Sequence, residues 1–165
     1  MANLSLVAVG DIILEPETHS QTFEHIKHVL RGGDITFGNV DQACSDLGSD
    51  PSGFWPIYAG APPHSEAFLD SLKDAGFDVL GYGNNHALDW GYDAFLDTLV
   101  QCRKRGLEPI GGGANLAEAR TPAIVNRNGT SVGFLSYCSI GFDGYEAEQN
   151  RPGHVPMRAH THYEQ

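Results

Sequence analysis

The sequence predicts an α/β fold, with a mixed, mostly parallel sheet flanked by helices, on three observations. Apolar, β-branched runs alternate with segments of helical periodicity along most of the chain. Glycine and proline punctuate the boundaries between them. Three of the runs end in glycine followed at once by polar residues: Leu4 to Asp11, Asp34 to Asp41, and Phe77 to His86. If those strands are parallel, their ends share one edge, where open α/β sheets place ligands. The glycines there are expected to let the backbone turn sharply or approach a ligand closely.

The elements follow in order. Residues 4–9 read as a first buried strand. Phe23, Ile26, Val29 and Leu30 share one face of a helix expected over 20–31, stopped by Gly32 and Gly33. A second strand is expected near 34–38. The stretch 42–61 is a long loop rich in Gly, Pro, Ser and Asp, carrying Phe54, Trp55 and Tyr58, and loops that long are commonly functional. Pro62 and Pro63 open a helix presenting Ala67, Phe68, Leu72 and Ala75, which ends at Gly76. A third strand spans 77–82. A helix near 91–105 follows, with Phe95, Leu96, Leu99 and Cys102 on one face. A short strand is read at 107–110. Asn115 and Glu118 give a capping-box start to another helix. Strands near 122–127 and 131–138 flank Asn128 and Gly129 as a hairpin. Residues 1–138 therefore form one domain. Beyond it, 139–165 loses periodicity and reads as an irregular tail, leading towards a C-terminal half that the sequence lacks.

Composition narrows the function classes. A formal charge of −11 over 165 residues argues against nucleic acid and against an anionic membrane surface. It draws divalent cations and repels anionic substrates unless a cation offsets the field. Neither a signal peptide nor an apolar run long enough for a bilayer is found, which points to a cytoplasmic location. Cys44, Cys102 and Cys138 are odd in number and far apart, so reduced, packed thiols are expected.

The residues able to carry chemistry each have a plainer reading. Asp11 is a metal ligand or a turn cap. Asn39 and Asp41, two apart on extended backbone, face one way and suit a shared ion, or open an Asx-turn. In Asn84-Asn85-His86 an amide oxygen and an imidazole suit Zn, Mn or Fe. His86 is alternatively a general acid for a leaving oxygen. Asp89 then steadies its other ring nitrogen, or instead caps the next helix. Gly111-Gly112-Gly113 before a helix suggests phosphate binding, and with it a nucleotide-binding domain, but lacks a P-loop lysine; a tight turn is the simpler reading. His154, His160 and His162 are read as solvated tail residues.

With these motifs in view, the chain resembles the bacterial poly-γ-glutamate capsule-synthesis proteins of the CapA type, a branch of the calcineurin-like metallophosphoesterase superfamily. The resemblance is to the N-terminal part of such proteins. It rests on Val9 to Leu14, Asp34 to Asp41, and Asn84 to Gly91 with its Asn-Asn-His, Asp and Gly. It extends through Ile110 to Arg120 and Arg151-Pro152-Gly153. What it implies is a metallophosphoesterase-like sandwich of two sheets flanked by helices, with metal at the strand ends. Asp11, Asn39, Asp41, Asn85 and His86 would hold divalent ions, binuclear in the full-length protein, and His86 with Asp89 would be catalytic. Three departures stand out. Position 13 is Ile where the wider superfamily has histidine, position 41 is Asp where the branch typically has Glu, and the later histidine motifs are missing. Five protein groups for two ions leave a binuclear site short of ligands, so this chain alone is expected to fall short of full activity. The expected function is a divalent-metal-dependent, phosphoester-type hydrolase linked to poly-γ-glutamate biosynthesis, acting on a small-molecule or polymer substrate. The alternative is a non-catalytic metal- or polymer-binding component of poly-γ-glutamate export or assembly.

Overall fold

In the computed structural model, residues 3–14, 18–48 and 66–157 are described. The expected loop aromatics Phe54, Trp55 and Tyr58, the helix-opening Pro62 and Pro63, and His160 and His162 lie outside them.

Four strands, β1 (Leu6–Ile12), β2 (Ile35–Val40), β3 (Val79–Gly81) and β4 (Glu108–Ile110), pair in sequential order, and every pairing is parallel. Parallel neighbours need crossovers, supplied here by α1 (Lys27–Leu30), α2 (Ala67–Ala75) and α3 (Gly91–Lys104). Right-handed crossovers in one direction put all three helices on one face of the sheet. Leu30, Phe68, Leu72, Phe95 and Leu99 accordingly pack there with Val40, Leu80 and Tyr82. The opposite face is covered by an antiparallel hairpin, β6 (Ala123–Arg127) and β7 (Thr130–Phe134). Ile35, Val79 and Ile110 meet Ala123 and Val125 beneath it. The fold is the layered α/β architecture read from the sequence.

The first helix differs from expectation. It is confined to the four residues of α1. Before it, amide N–H groups of Gln21, Glu24 and Ile26 donate three residues back, the pattern of successive tight turns. Thr, Ser, His and β-branched residues crowd 18–29, and each favours helix weakly. Of the four residues expected to share one face, Phe23 and Leu30 are buried, while Ile26 and Val29 are 46% and 54% exposed. The end of α2 behaves as read: Gly76 adopts φ 103°, where a Cβ is penalised, and its N–H closes the last turn on Leu72 and Lys73. All three cysteines are buried and reduced, and burial pushes Cys44 up to about 12.

From Ser139 the chain returns to the sheet edge. A two-residue strand, β8 (Gly153–His154), pairs antiparallel with β5 (Gly112–Gly113). His154 N–H donates to Tyr145 O, Ala147 N–H to His154 O, and Val155 N–H to Gly111 O, at 2.9–3.0 Å. His154 is therefore not a solvated tail histidine: it is 1% exposed, and neither ring nitrogen has a hydrogen-bond partner. Pairing with Gly112 draws its backbone inside, and its ring lies against Gly141, where a Cβ would stand 3.0 Å from Nε2.

Burial holds the His154 imidazole below the usual histidine value, against the Val155 backbone and the Glu146 charge, which favour the proton. Unfolded, the group takes up a proton near pH 6.5; folded, only at lower pH. Its contribution is thus complete above that value and is lost as pH falls towards the folded one. Urea midpoints at pH 7.5 and 5.5 should fall for the parent, and His154→Met should remove that part of the drop.

Candidate functional site at the carboxyl edge of the sheet

Register builds the site. Asp11 is paired with Asn39, and Asn39 with Gly81, so the three lie side by side across β1, β2 and β3. Asp11 was expected beyond its strand; instead β1 runs on to Ile12, because a bulge between Ala8 and Asp11 resets the pairing. Neither Gly10, Gly38 nor Gly81 has the positive φ expected of a sharp turn. Gly81 matters for space: a Cβ there would stand 2.9 Å from Asn39 Oδ1. Its absence lets the Asn39 side chain lie flat over β3.

Side-chain amides tie the motifs together. Asn39 Nδ2 donates to Asp11 Oδ1 at 2.7 Å. Asn84, 7% exposed, donates through Nδ2 to Val40 O at 2.7 Å and accepts from His86 N–H at 3.1 Å. The structural tie in the Asn-Asn-His motif is therefore Asn84, while the half-buried Asn85 stands beside His86 outside this chain of bonds. Beneath the loop, the buried Tyr82 hydroxyl donates to Ala87 O at 3.1 Å, and its ring stacks on Phe95.

His86 Nδ1 lies 2.8 Å from Asp89 Oδ2. The N-cap residue of α3 is Trp90, with no side-chain cap, so Asp89 serves the histidine and not the helix. An ionised carboxylate only accepts, so Nδ1 carries the proton in this contact. The second Asp89 oxygen accepts from Tyr145 Oη at 3.3 Å. Tyr145 comes from the stretch without periodicity, and no spacing signal announces it. Glu118 N–H is taken by Asn115, and Ala114 N–H by Glu118, so the short helix α4 (Leu116–Ala119) caps itself.

Asp41, just past β2, is half-buried. Burial raises its carboxyl above the usual range, the Asp11 and Asp89 charges raise it further, and His86 opposes them. This excess of negative charge is what a divalent cation offsets. Two carboxylates, two amides and an imidazole are also donor types such ions accept. In chemistry and charge the residues fit a cation. In geometry they do not close around one: among the described residues, no three His, Cys, Asp or Glu side chains stand together as a ligand group.

The family profile described as Bacterial capsule synthesis protein PGA_cap matches residues 5–165. The chain belongs to this family. The PGA biosynthesis protein CapA of Bacillus subtilis (strain 168) is 28% identical over 167 residues, covering 93% of this chain and 42% of that protein. The Capsule biosynthesis protein CapA of Bacillus anthracis is 26% identical over 164 residues, covering 93% and 39%. A Probable polyglutamine synthesis accessory protein of Mycobacterium tuberculosis is 34% identical over 102 residues, covering 59% and 26%. This PGA_cap chain spans less than half the length of each of these relatives. Among the described residues no helix is long and apolar enough to cross a membrane.

The raised Asp41 carboxyl has a consequence for stability. An acid whose folded pKa is raised contributes fully only below its unfolded value, and that contribution is lost as pH rises through the folded one. At pH 7 the cluster is therefore a cost. Asp41→Asn should raise the thermal midpoint of the metal-free protein at pH 7 by a few degrees, with little difference at pH 4.

Proposed function

We propose that this chain supplies part of the site of a divalent-metal-dependent hydrolase acting on a phosphoester-type bond, in the service of poly-γ-glutamate capsule synthesis. The observation that carries the reading is the His86–Asp89 contact standing beside the acidic pair Asp11 and Asp41 at one sheet edge. Asp11, Asn39, Asp41 and Asn85 are the residues that would hold Mn, Zn or Fe, and His86, alternatively a ligand, serves in this reading as the general acid. When bound, such an ion supplies Lewis-acid chemistry at the phosphoryl oxygen.

The chain's own residues do the rest. Asp89 holds the His86 proton at Nδ1, stabilises the imidazolium, and leaves Nε2 as the atom that exchanges a proton with the substrate. Protonated there, His86 delivers the proton to the leaving oxygen. Asn39 and Asn84 keep Asp11 and the His86 loop at a fixed separation without adding charge. The capsule role is supported by the likeness to the CapA relatives. Because the chain covers less than half of each, the groups still needed around the ion are assigned to the part of those proteins beyond this match.

A second reading keeps the family's process and drops the reaction: a metal- or polymer-binding component of poly-γ-glutamate export or assembly. It is favoured by the incomplete ligand group among the described residues.

Metal analysis after incubation with Mn²⁺ or Zn²⁺, with turnover of bis-p-nitrophenyl phosphate, separates the two. Asp11→Ala and His86→Ala should each lower kcat/KM by about 100-fold or more, the scale of a lost acid–base group, while thermal midpoints move by only a few degrees. Metal uptake without turnover would leave the second reading standing, and no uptake at all would overturn the first.

A further inference from the structure

Asp89 has two oxygens and two partners. Oδ2 takes the His86 Nδ1–H at 2.8 Å, and Oδ1 takes the Tyr145 hydroxyl at 3.3 Å. A carboxylate held at one oxygen can still rotate about its own axis. A second donor on the other oxygen fixes its plane, and with it the direction from which the imidazole is met.

We propose that Tyr145 is a positioning residue for His86, acting through Asp89: its hydroxyl locks the carboxylate that keeps the His86 proton on Nδ1.

Three observations support the role. The phenol is a permanent donor, since burial and then the Asp89 charge push it up to about 12. Its ring is anchored, packed against the main core and edge-on to Phe142 at 5.4 Å between centroids. Its backbone is held on both sides. Tyr145 N–H donates to Phe142 O, and Tyr145 O accepts from His154 N–H, each at 3.0 Å. A Cβ at Gly153 would land on Tyr145 O, so only glycine allows β8 to approach this closely. Tyr92 Oη donates to Gly144 O at 2.7 Å, a bond to the neighbouring residue that does not reach Asp89. The segment that carries Tyr145 is thus tied through its own backbone as well as through its ring.

The inference deepens the hydrolase reading, because a general acid needs one defined tautomer, but its first test needs no turnover. The probe is the intact protein labelled with ¹⁵N-histidine, with the His86 ring nitrogens assigned through His86→Gln. The parent should show neutral His86 protonated on Nδ1. Tyr145→Phe keeps the ring and loses only the hydroxyl. It should move the tautomer ratio towards Nε2–H by about threefold or more and speed exchange of the Nδ1 proton, with Asp89→Asn shifting further in the same direction. Tyr92→Phe loses the α3 hydroxyl that bonds Gly144 O, without touching Asp89, and should leave the ring shifts as in the parent.

Parental shifts in Tyr145→Phe alongside altered shifts in Asp89→Asn would overturn the proposal. So would an equal change in Tyr92→Phe, which would mark the effect as general loosening. In phosphodiester hydrolysis, Tyr145→Phe should lower kcat about three- to tenfold with KM unchanged within about twofold. A parent without turnover sinks the hydrolase reading alone, since the ring shifts still decide the role of Tyr145.

Discussion

Parallel pairing in a register that sets Asp11 opposite Asn39, and Asn39 opposite Gly81, is the constraint on which the candidate site depends. Residues some 28 positions apart in sequence become lateral neighbours, joined directly by the bond from Asn39 Nδ2 to Asp11 Oδ1. Rigid elements hold polar groups more closely than loops do. The missing side chain at position 81 is part of the same constraint, because a methyl there would meet the Asn39 amide. The bulge in β1 serves it too. Without that shift Asp11 would be out of step with Asn39, and Ile12, now 7% exposed, would not turn into the core.

The loop carrying His86 is irregular, yet it is pinned from three directions. Asn84 ties it to the end of β2, and Tyr82 holds Ala87 from beneath. Ala87 and Leu88 are themselves buried in the core. An irregular segment with its backbone satisfied by neighbours behaves like an extension of the sheet. The layering contributes as well: helices on one face and the hairpin on the other leave only the strand ends to carry chemistry.

Most of this was legible in sequence where the signal is periodic or local. Strands β2, β3 and β4, helix α3 and the Asn128–Gly129 hairpin follow from apolar runs and turn residues, and the structure places them within a few residues of the reading. The His86–Asp89 contact, a spacing of three, was visible as one of two options. Legibility failed where long-range packing decides. The helix expected over 20–31 had the right apolar spacing but weak formers, and tight turns won. Asn84 and Asn85 are the same residue type in adjacent positions, and only the location of Val40 O separates them. Tyr145 and His154 lie in a stretch without period. Their places come from backbone pairing across 111, 138, 145 and 154, which leaves no trace in local composition.

Electrostatics joins these parts to the proposed chemistry. Asp11, Asp41 and Asp89 gather at one edge of a chain whose formal charge is already −11. The ties between the motifs are amides and a phenol, which fix geometry without supplying the positive charge that would neutralise the carboxylates. A site built this way is poor at receiving an anion by itself. A phosphodiester approaching it meets like charge, at the exposed Asp11 and the half-buried Asp41 and Asp89. A divalent cation reverses that sign locally, so on the proposed reading cation and anionic substrate bind in order, the cation first. The same logic explains why neutral side chains occupy the hinge positions of the site. A lysine or arginine at 39 or 84 would satisfy Asp11 or Asp41 permanently, and the edge would then lose its attraction for a cation.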